Sequence, residues 1–305
     1  MRERLSREEW NLGVIRQSVA DIVRRGIVQP VAWLDQIDPW HGLADPGCHI
    51  SPDGSRMLFA ERTNYWHGRG EIWFAEVPPG LGLTTAKFRP WATANTHLSY
   101  PFPFSTGSDL CITMETGSAG QLCLWRYRRG EWLQTVMLNR PAIDPTLWRD
   151  RNSWWLFCTF ADAPDERLHL FHADRVEGPW TPHPGNPIKS DRASSRPAGP
   201  LFRVGGRLIR PSQDCAQSYG SAIVLNEITE LTPTGYQEHE VRRLLPQGEY
   251  PDGLHTLCPA GENITIVDGK RWGFTPIDPL RYVMTGGIKR YRRLRHRGLS
   301  IRFFE

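Results

Sequence analysis

Four carboxylates stand where strands begin or end, and that placement is the first sign of chemistry. Asp45 (in Ala44-Asp45-Pro46) and Asp144 (in Ile143-Asp144-Pro145) each precede a proline. A proline has no N–H to give a sheet ladder, so it suits the opening of a strand rather than its middle. Glu115 and Asp214 close neighbouring strands, beside the polar clusters ETGS and PSQD. Two carboxyl groups facing a sugar are the machinery of glycoside chemistry. One, with a raised pKa, protonates the leaving oxygen; the other activates water or attacks the sugar. Any one of these acids also suits a turn cap, but recurrence of the same position along the chain argues for a shared role. Asp45, Asp144, Glu115 and Asp214 are the catalytic candidates.

Four further residues complete the constellation. Arg196 in SSRPAGP and His255 in GLHT open later repeats. An arginine there suits bidentate capture of an anionic group, and a histidine suits donation to a sugar or proton transfer. Gln213 lies beside Asp214, and Tyr100 offers a ring for stacking. These four are the expected substrate-binding set. There is no Ser/His/Asp signature, glycine-rich phosphate loop or HExxH. Nothing specifies a metal or a cofactor.

The elements that must position these groups are short strands. Ala142 to Phe157 (AIDPTLWRDRNSWWLF) reads as a hairpin with an acid at its entry and a polar turn at Arg149 to Ser153. The same design recurs, with turns expected at Ser51 to Gly54, Thr106 to Ser108, Gly205-Gly206 and Asp268-Gly269. Anchors near Asp45, Tyr100, Asp144, Gly199 and His255 are spaced 55, 44, 55 and 56 residues apart. Several strands per period of this size are the signature of a propeller. The expected fold is therefore all-β, a five-bladed β-propeller over residues 41–280. Residues 1–40 read as a lead-in with a strand at Trp10 to Ile15 and a helix at Ser18 to Arg25, and residues 281–305 as a basic tail. First strands of blades line the central channel, so the opening residues converge at one mouth.

Composition sets the outer bounds. The net charge of +4 does not argue for nucleic acid. The basic run Lys289 to Arg297 reads as a solvated end or a weak contact with an anionic surface. No stretch approaches the length of a membrane span. Thirteen tryptophans fit either a β core or sugar stacking. Six cysteines without CxxC or zinc spacing read as reduced core residues, and the charged N-terminus shows no signal segment. The expected location is cytoplasmic.

Several segments then carry a resemblance: ADP (44–46), HLSYPF (97–102), METGSAG (114–120), IDPTLW (143–148), RPAGPLF (196–202), RPSQDC (210–215) and VLNEITELTP (224–233). Together they resemble the N-terminal domain of glucosamine inositolphosphorylceramide transferases, over residues 10 to 275. That domain is similar to the propellers of arabinanases, xylosidases and levansucrases. The resemblance implies a general base at Asp45, an orienting acid at Asp144 and a glycan or glycoconjugate substrate. It also implies a glutamate proton donor at the start of blade four, where this chain has Arg196-Pro197-Ala198-Gly199-Pro200. Either Glu115 or Asp214 takes that role, or the site binds sugar without cleaving it. Arg196 suggests an acidic glycan. The transferring domain of the plant proteins is a separate one, so the transferase name is not carried over to this propeller. The expected activity is hydrolysis or transglycosylation at a glycosidic bond, with a non-catalytic glycan-binding domain of polysaccharide or glycolipid biosynthesis as the alternative.

Overall fold

The computed structural model describes residues 7–35, 38, 40–66, 68–117, 120–150, 153–274, 278 and 300–304. It is a five-bladed β-propeller. Strand β1 (Arg7–Ile15) is followed by helix α1 (Val19–Arg25) and β2 (Val31–Trp33). Ser18 caps α1 by accepting the Asp21 N–H, and Gly26, at φ 77°, ends it. Blade one holds β3 (His41–Ile50), β4 (Arg56–Asn64), β5 (Arg69–Val77) and β6 (Arg89–Ala94). Blade two holds β7 (Ser99–Thr106), β8 (Asp109–Glu115), β9 (Leu122–Arg128) and β10 (Glu131–Leu138). Blade three is built on β11 (Ile143–Asp150), β12 (Ser153–Thr159) and β13 (Arg167–Ala173), with the two-residue β14 (Thr181–Pro182) and β15 (Lys189–Ser190) on its outer edge. Blade four runs β16 (Phe202–Val204), β17 (Arg207–Asp214), β18 (Ala222–Leu231) and β19 (Tyr236–Leu244).

Blade five joins the two ends of the ring. β20 (Leu257–Pro259) and β21 (Thr265–Gly273) pair with β1 and then β2, with Arg7 opposite Gly273 and Ile15 opposite Thr265. The segment expected as a lead-in thus supplies half of a blade. The far end of the chain also carries structure: β22 (Ile301–Phe303) adds a fifth strand to blade one beside β6. The basic run 289–297 lies outside the described residues.

A second difference concerns Asp268-Gly269. The dipeptide was expected to turn a hairpin, yet it lies inside β21. Gly269 is used for space rather than for a turn, because a Cβ there would come within 2.3 Å of the Trp33 ring. Asp268, fully buried, is thereby turned toward the channel mouth.

The core consists of apolar clusters between adjacent blades, for example Phe59, Ile72, Trp91, Ile112 and Trp125 between blades one and two. The six cysteines are free, and all but Cys48 are buried. No helix among the described residues is long and apolar enough to cross a membrane.

Candidate functional site

One backbone device recurs at the head of three blades. Asp45, Tyr100 and Asp144 have φ of 52°, 47° and 49°, in the left-handed region that L residues seldom occupy. Each sits in a bulge with one extra residue on the inner strand. Ala44 faces Glu61 and Gly47 faces Phe59; Ser99 faces Glu115 and Phe102 faces Thr113; Ile143 faces Thr159 and Thr146 faces Phe157. Such bulges re-aim a side chain beside the ladder. Blade four keeps the X-Pro pattern with Gly199 at φ 114°, whose missing Cβ would fall 2.1 Å from the Leu257 carbonyl oxygen. Glu61 and Glu115 therefore hold equivalent places in blades one and two, each opposite the residue that precedes the bulge.

Asp45 is 6% exposed and held from four sides. Its N–H donates to Asp268 Oδ2 (3.0 Å). Its carboxylate accepts from the Tyr100 N–H (3.3 Å) and the Thr256 hydroxyl (3.1 Å). His255 Nε2 stands 3.8 Å away, and Glu61 is close enough for its charge to act on Asp45. Burial pushes Asp45 up to about 8, and although His255 pulls down, the charges of Glu61, Asp144 and Asp268 add to the rise. Burial likewise raises Glu61 to about 7, against the Thr63 hydroxyl that donates to it at 2.5 Å. Burial raises half-buried Glu115 to about 7 as well, with Asp144 adding to the rise and Arg196 and His97 opposing it.

Asp144 and Arg196 form a different unit. Arg196 Nε donates to Asp144 Oδ2 at 2.6 Å and Nη1 to Asp165 Oδ1 at 3.0 Å, while Gln213 Nε2 donates to Asp144 Oδ2 at 3.0 Å. The guanidinium lies 4.9 Å from the centre of the Tyr219 ring. Arg196, expected to hold an acidic substrate, is thus taken up by two carboxylates of its own chain.

His255 stacks on Trp10 at 3.9 Å between ring centres, and its Nδ1 meets Asp268 Oδ2 at 2.6 Å. Burial pulls the imidazole pKa down, but Asp268 and Asp45 outweigh it and the net shift is upward. Asp268 shifts the other way: burial raises it, and His255 with three backbone or side-chain hydrogen bonds outweighs that. Asp45, His255 and Asp268 each present a ligand atom, all within 4.8 Å of one another. Every one of these atoms already has a protein partner, so the trio reads as a hydrogen-bonded triad rather than as ligands awaiting an ion.

Glu61 and His255 open on a cleft of about 420 Å³ that is also lined by Trp10, Tyr65, His97 and Tyr219, among others. Below it a small cavity of about 40 Å³ runs into the channel between Asp45, Tyr100, Gly199 and Thr256. Tyr100 belongs to that lower level. It is 3% exposed, and its hydroxyl accepts from the Gly199 N–H (2.7 Å) and bonds Thr146 (2.7 Å), so its ring is packing rather than a platform at the mouth. Asp214 is placed elsewhere: it ion-pairs with Arg243 of β19 and accepts the Ala216 N–H. Of the eight residues singled out in the sequence, the structure gathers Asp45, Glu115, Asp144, Arg196, Gln213 and His255. It adds Glu61, His97, Tyr219 and Asp268. The repeat itself could have disclosed Glu61, since FAER stands to ADP as METG stands to SYP.

A propeller of five blades is an architecture met in glycoside hydrolases. The fold superposes on a thermostable family-43 glycoside hydrolase with a TM-score of 0.53 at 13% identity, covering 73% of this chain and 84% of that one. It matches Zg3597, a family 117 glycoside hydrolase of the marine bacterium Zobellia galactanivorans, with a TM-score of 0.53 at 12% identity, covering 86% and 90%. At these identities the likeness speaks to fold alone. The chain belongs to the family described as glucosamine inositolphosphorylceramide transferase 1, N-terminal, which matches residues 13–250. Among curated relatives, glucosamine inositolphosphorylceramide transferase 1 of Oryza sativa subsp. japonica is 34% identical over 213 residues, and that of Arabidopsis thaliana 30% over 220. These alignments take in 66% and 67% of this chain and 28% of each relative, so the chain spans little more than a quarter of their length.

Proposed function

We propose that the cleft binds a sugar and transfers protons at a glycosidic bond. The observation that carries this is the set of three carboxyls, Asp45, Glu61 and Glu115, with pKa raised to about 8, 7 and 7: Glu61 lines the open cleft, Asp45 lines the small cavity, and Glu115 lies within electrostatic reach of Glu61 and His97. Raised carboxyls in a pocket are what general acid–base catalysis requires. Among the described residues Glu115 makes no protein hydrogen bond, so its proton is free for a ligand. In this reading Glu115 gives that proton to the leaving oxygen as the C–O bond breaks. Water attacks the sugar carbon, and its proton passes to the Asp45–Glu61 pair, which holds one proton between two carboxyls beforehand and two afterwards. The pair returns its extra proton to solvent, and Glu115 regains one. Asp144 is fixed by Arg196 and Gln213 behind the site. The names of the relatives point to glycolipid assembly as the setting, with the glycan part of a glycoconjugate as substrate.

A panel of aryl glycosides tests this. Glu115→Gln and Asp45→Asn are expected to lower turnover by about 10²–10⁴-fold with the melting temperature held. Turnover should fall as pH rises past about 7, where Glu115 loses its proton. Turnover unchanged by both substitutions would discard the assignment.

A second reading has its own support. The Arg196–Asp144 ion pair and the burial of Asp45 also suit a glycan-binding module of a biosynthetic assembly. It predicts sugar binding without turnover, surviving Glu115→Gln.

A further inference from the structure

His97 was not among the residues expected at the site, yet the fold goes to some length to aim it. It stands two positions before the start of β7, with Leu98 between, at the mouth end of blade two. Leu98 N–H donates to the Gly70 carbonyl (3.1 Å), and Gly70 N–H donates to His97 Nδ1 (2.9 Å), so residues 97 and 98 are pinned to the edge of blade one from both directions. A backbone N–H can only donate. Nδ1 must therefore be the acceptor, and in the neutral ring the proton sits on Nε2. That nitrogen lies 3.7 Å from Glu61 Oε1, on the wall of the cleft and within electrostatic reach of Glu115. The side chain is 35% exposed, open to a ligand.

Gly70 is the second, independent observation. A Cβ at this position would fall 2.3 Å from Glu61 Oε1 and 2.3 Å from the Leu98 carbonyl oxygen. Only glycine lets the imidazole and the Glu61 carboxyl crowd the same piece of backbone. The groups that face His97 from the packed elements are Glu61 of β4, the Gly70 amide of β5 and Glu115 of β8; the Thr96 hydroxyl and Gly117 border it on its own side.

We infer that His97 is a substrate-binding residue: a neutral imidazole, fixed in one tautomer by Gly70, whose Nε2–H donates to an oxygen of the bound sugar between Glu61 and Glu115. This rests on the sugar-binding reading above and adds to it a named donor. The ligand class it selects is one offering an acceptor oxygen at that point, a hydroxyl or ring oxygen, and not an ammonium or another pure donor.

The test has two parts. The first needs no ligand. Long-range ¹H–¹⁵N spectra of the wild-type protein, assigned with His97→Gln, should show the neutral His97 ring with its proton on Nε2, and Gly70→Ala should abolish that preference. A proton on Nδ1 would overturn the inference outright. The second part measures sugar binding or KM with the aryl glycosides and their free sugars. His97→Ala should weaken it about 3- to 10-fold, while His97→Gln, whose amide can donate from a similar place, should recover most of the loss. Equal weakening in both variants, or none in either, would overturn the contact with sugar. If the tautomer is as stated but the wild type engages no sugar, the functional reading has failed and the sugar contact falls with it. The two failures are told apart by the first measurement.

Discussion

At the scale of single residues the site is governed by a shortage of cations. Arg196 answers Asp144 and Asp165, and His255 answers Asp268; Asp45, Glu61 and Glu115 are left to keep protons instead. This has a consequence for stability. The three carboxyls have folded pKa values of about 7 to 8, against an unfolded range near 4. Their protonated forms favour the folded state, so that contribution is complete below pH 4 and drains away as pH rises toward 8. Asp268, whose pKa is lowered, works the other way, adding stability above about pH 4 and losing it on acidification. Thermal unfolding across pH 5 to 9 should therefore show a decline that runs from about pH 5 to pH 8 and then levels off. Glu61→Gln and Glu115→Gln should each flatten it by on the order of 1–3 kcal/mol, and an unaltered decline in both would refute the account. Asp45, Asp144 and Glu115 were legible in the sequence because proline or a polar cluster stands beside each, although Asp45 lies inside β3 at its bulge and does not open the strand as expected. Asp268 was not, because Asp-Gly is the usual dipeptide of a hairpin turn and only the long-range neighbours Trp33 and Tyr250 require a glycine there. His97 was hidden for the same reason: its meaning lies in an amide of another blade.

At the scale of elements, the bulge at the head of three blades is what turns Asp45 and Asp144 out of the ladder. Non-glycine residues held at positive φ cost of order 1–3 kcal/mol each, so the surroundings must over-determine them. Tyr100, though not an acid, is part of that restraint, since its hydroxyl links blade two to the Gly199 amide of blade four and to Thr146 of blade three. Tyr100→Phe leaves a buried N–H unanswered and should cost about 1–3 kcal/mol in denaturant unfolding. Gly199→Ala is expected to be worse, roughly 2 kcal/mol or more, because both its φ and the Leu257 carbonyl forbid a side chain. A Gly199→Ala protein as stable as wild type would contradict the packing described. The repeated X-Pro motif made these positions visible in the sequence, but the positive φ and the tie through Tyr100 were not, since neither has a local signature.

At the scale of the whole molecule, the five-fold spacing of anchors disclosed the blade count, because each blade is a local run of hairpins. Ring closure was not disclosed. The pairing of Arg7 with Gly273 spans nearly the length of the chain, and no local pattern announces it. The same holds for β22, which looked like the end of a basic tail. Its Phe303 ring stacks on Trp132 at 5.5 Å and meets Trp91 and Trp125 edge-on at 5.0 Å each, closing the cluster between blades one and two. Phe303→Ala should lower stability by roughly 2–4 kcal/mol, read as a shift in denaturant midpoint. A shift near zero would mean that β22 is a passenger.

Trp10 lies against His255, a contact added to the β1–β21 ladder that joins the first strand of the chain to the last blade. During synthesis, at about 5–20 residues per second, the tryptophan leaves the ribosome many seconds before its histidine exists. Blades one to four can assemble on the emerging chain, but the cleft is incomplete until the final hairpin arrives and β1 is taken into it. An interrupted translation product would carry most of the acids and none of the finished cleft.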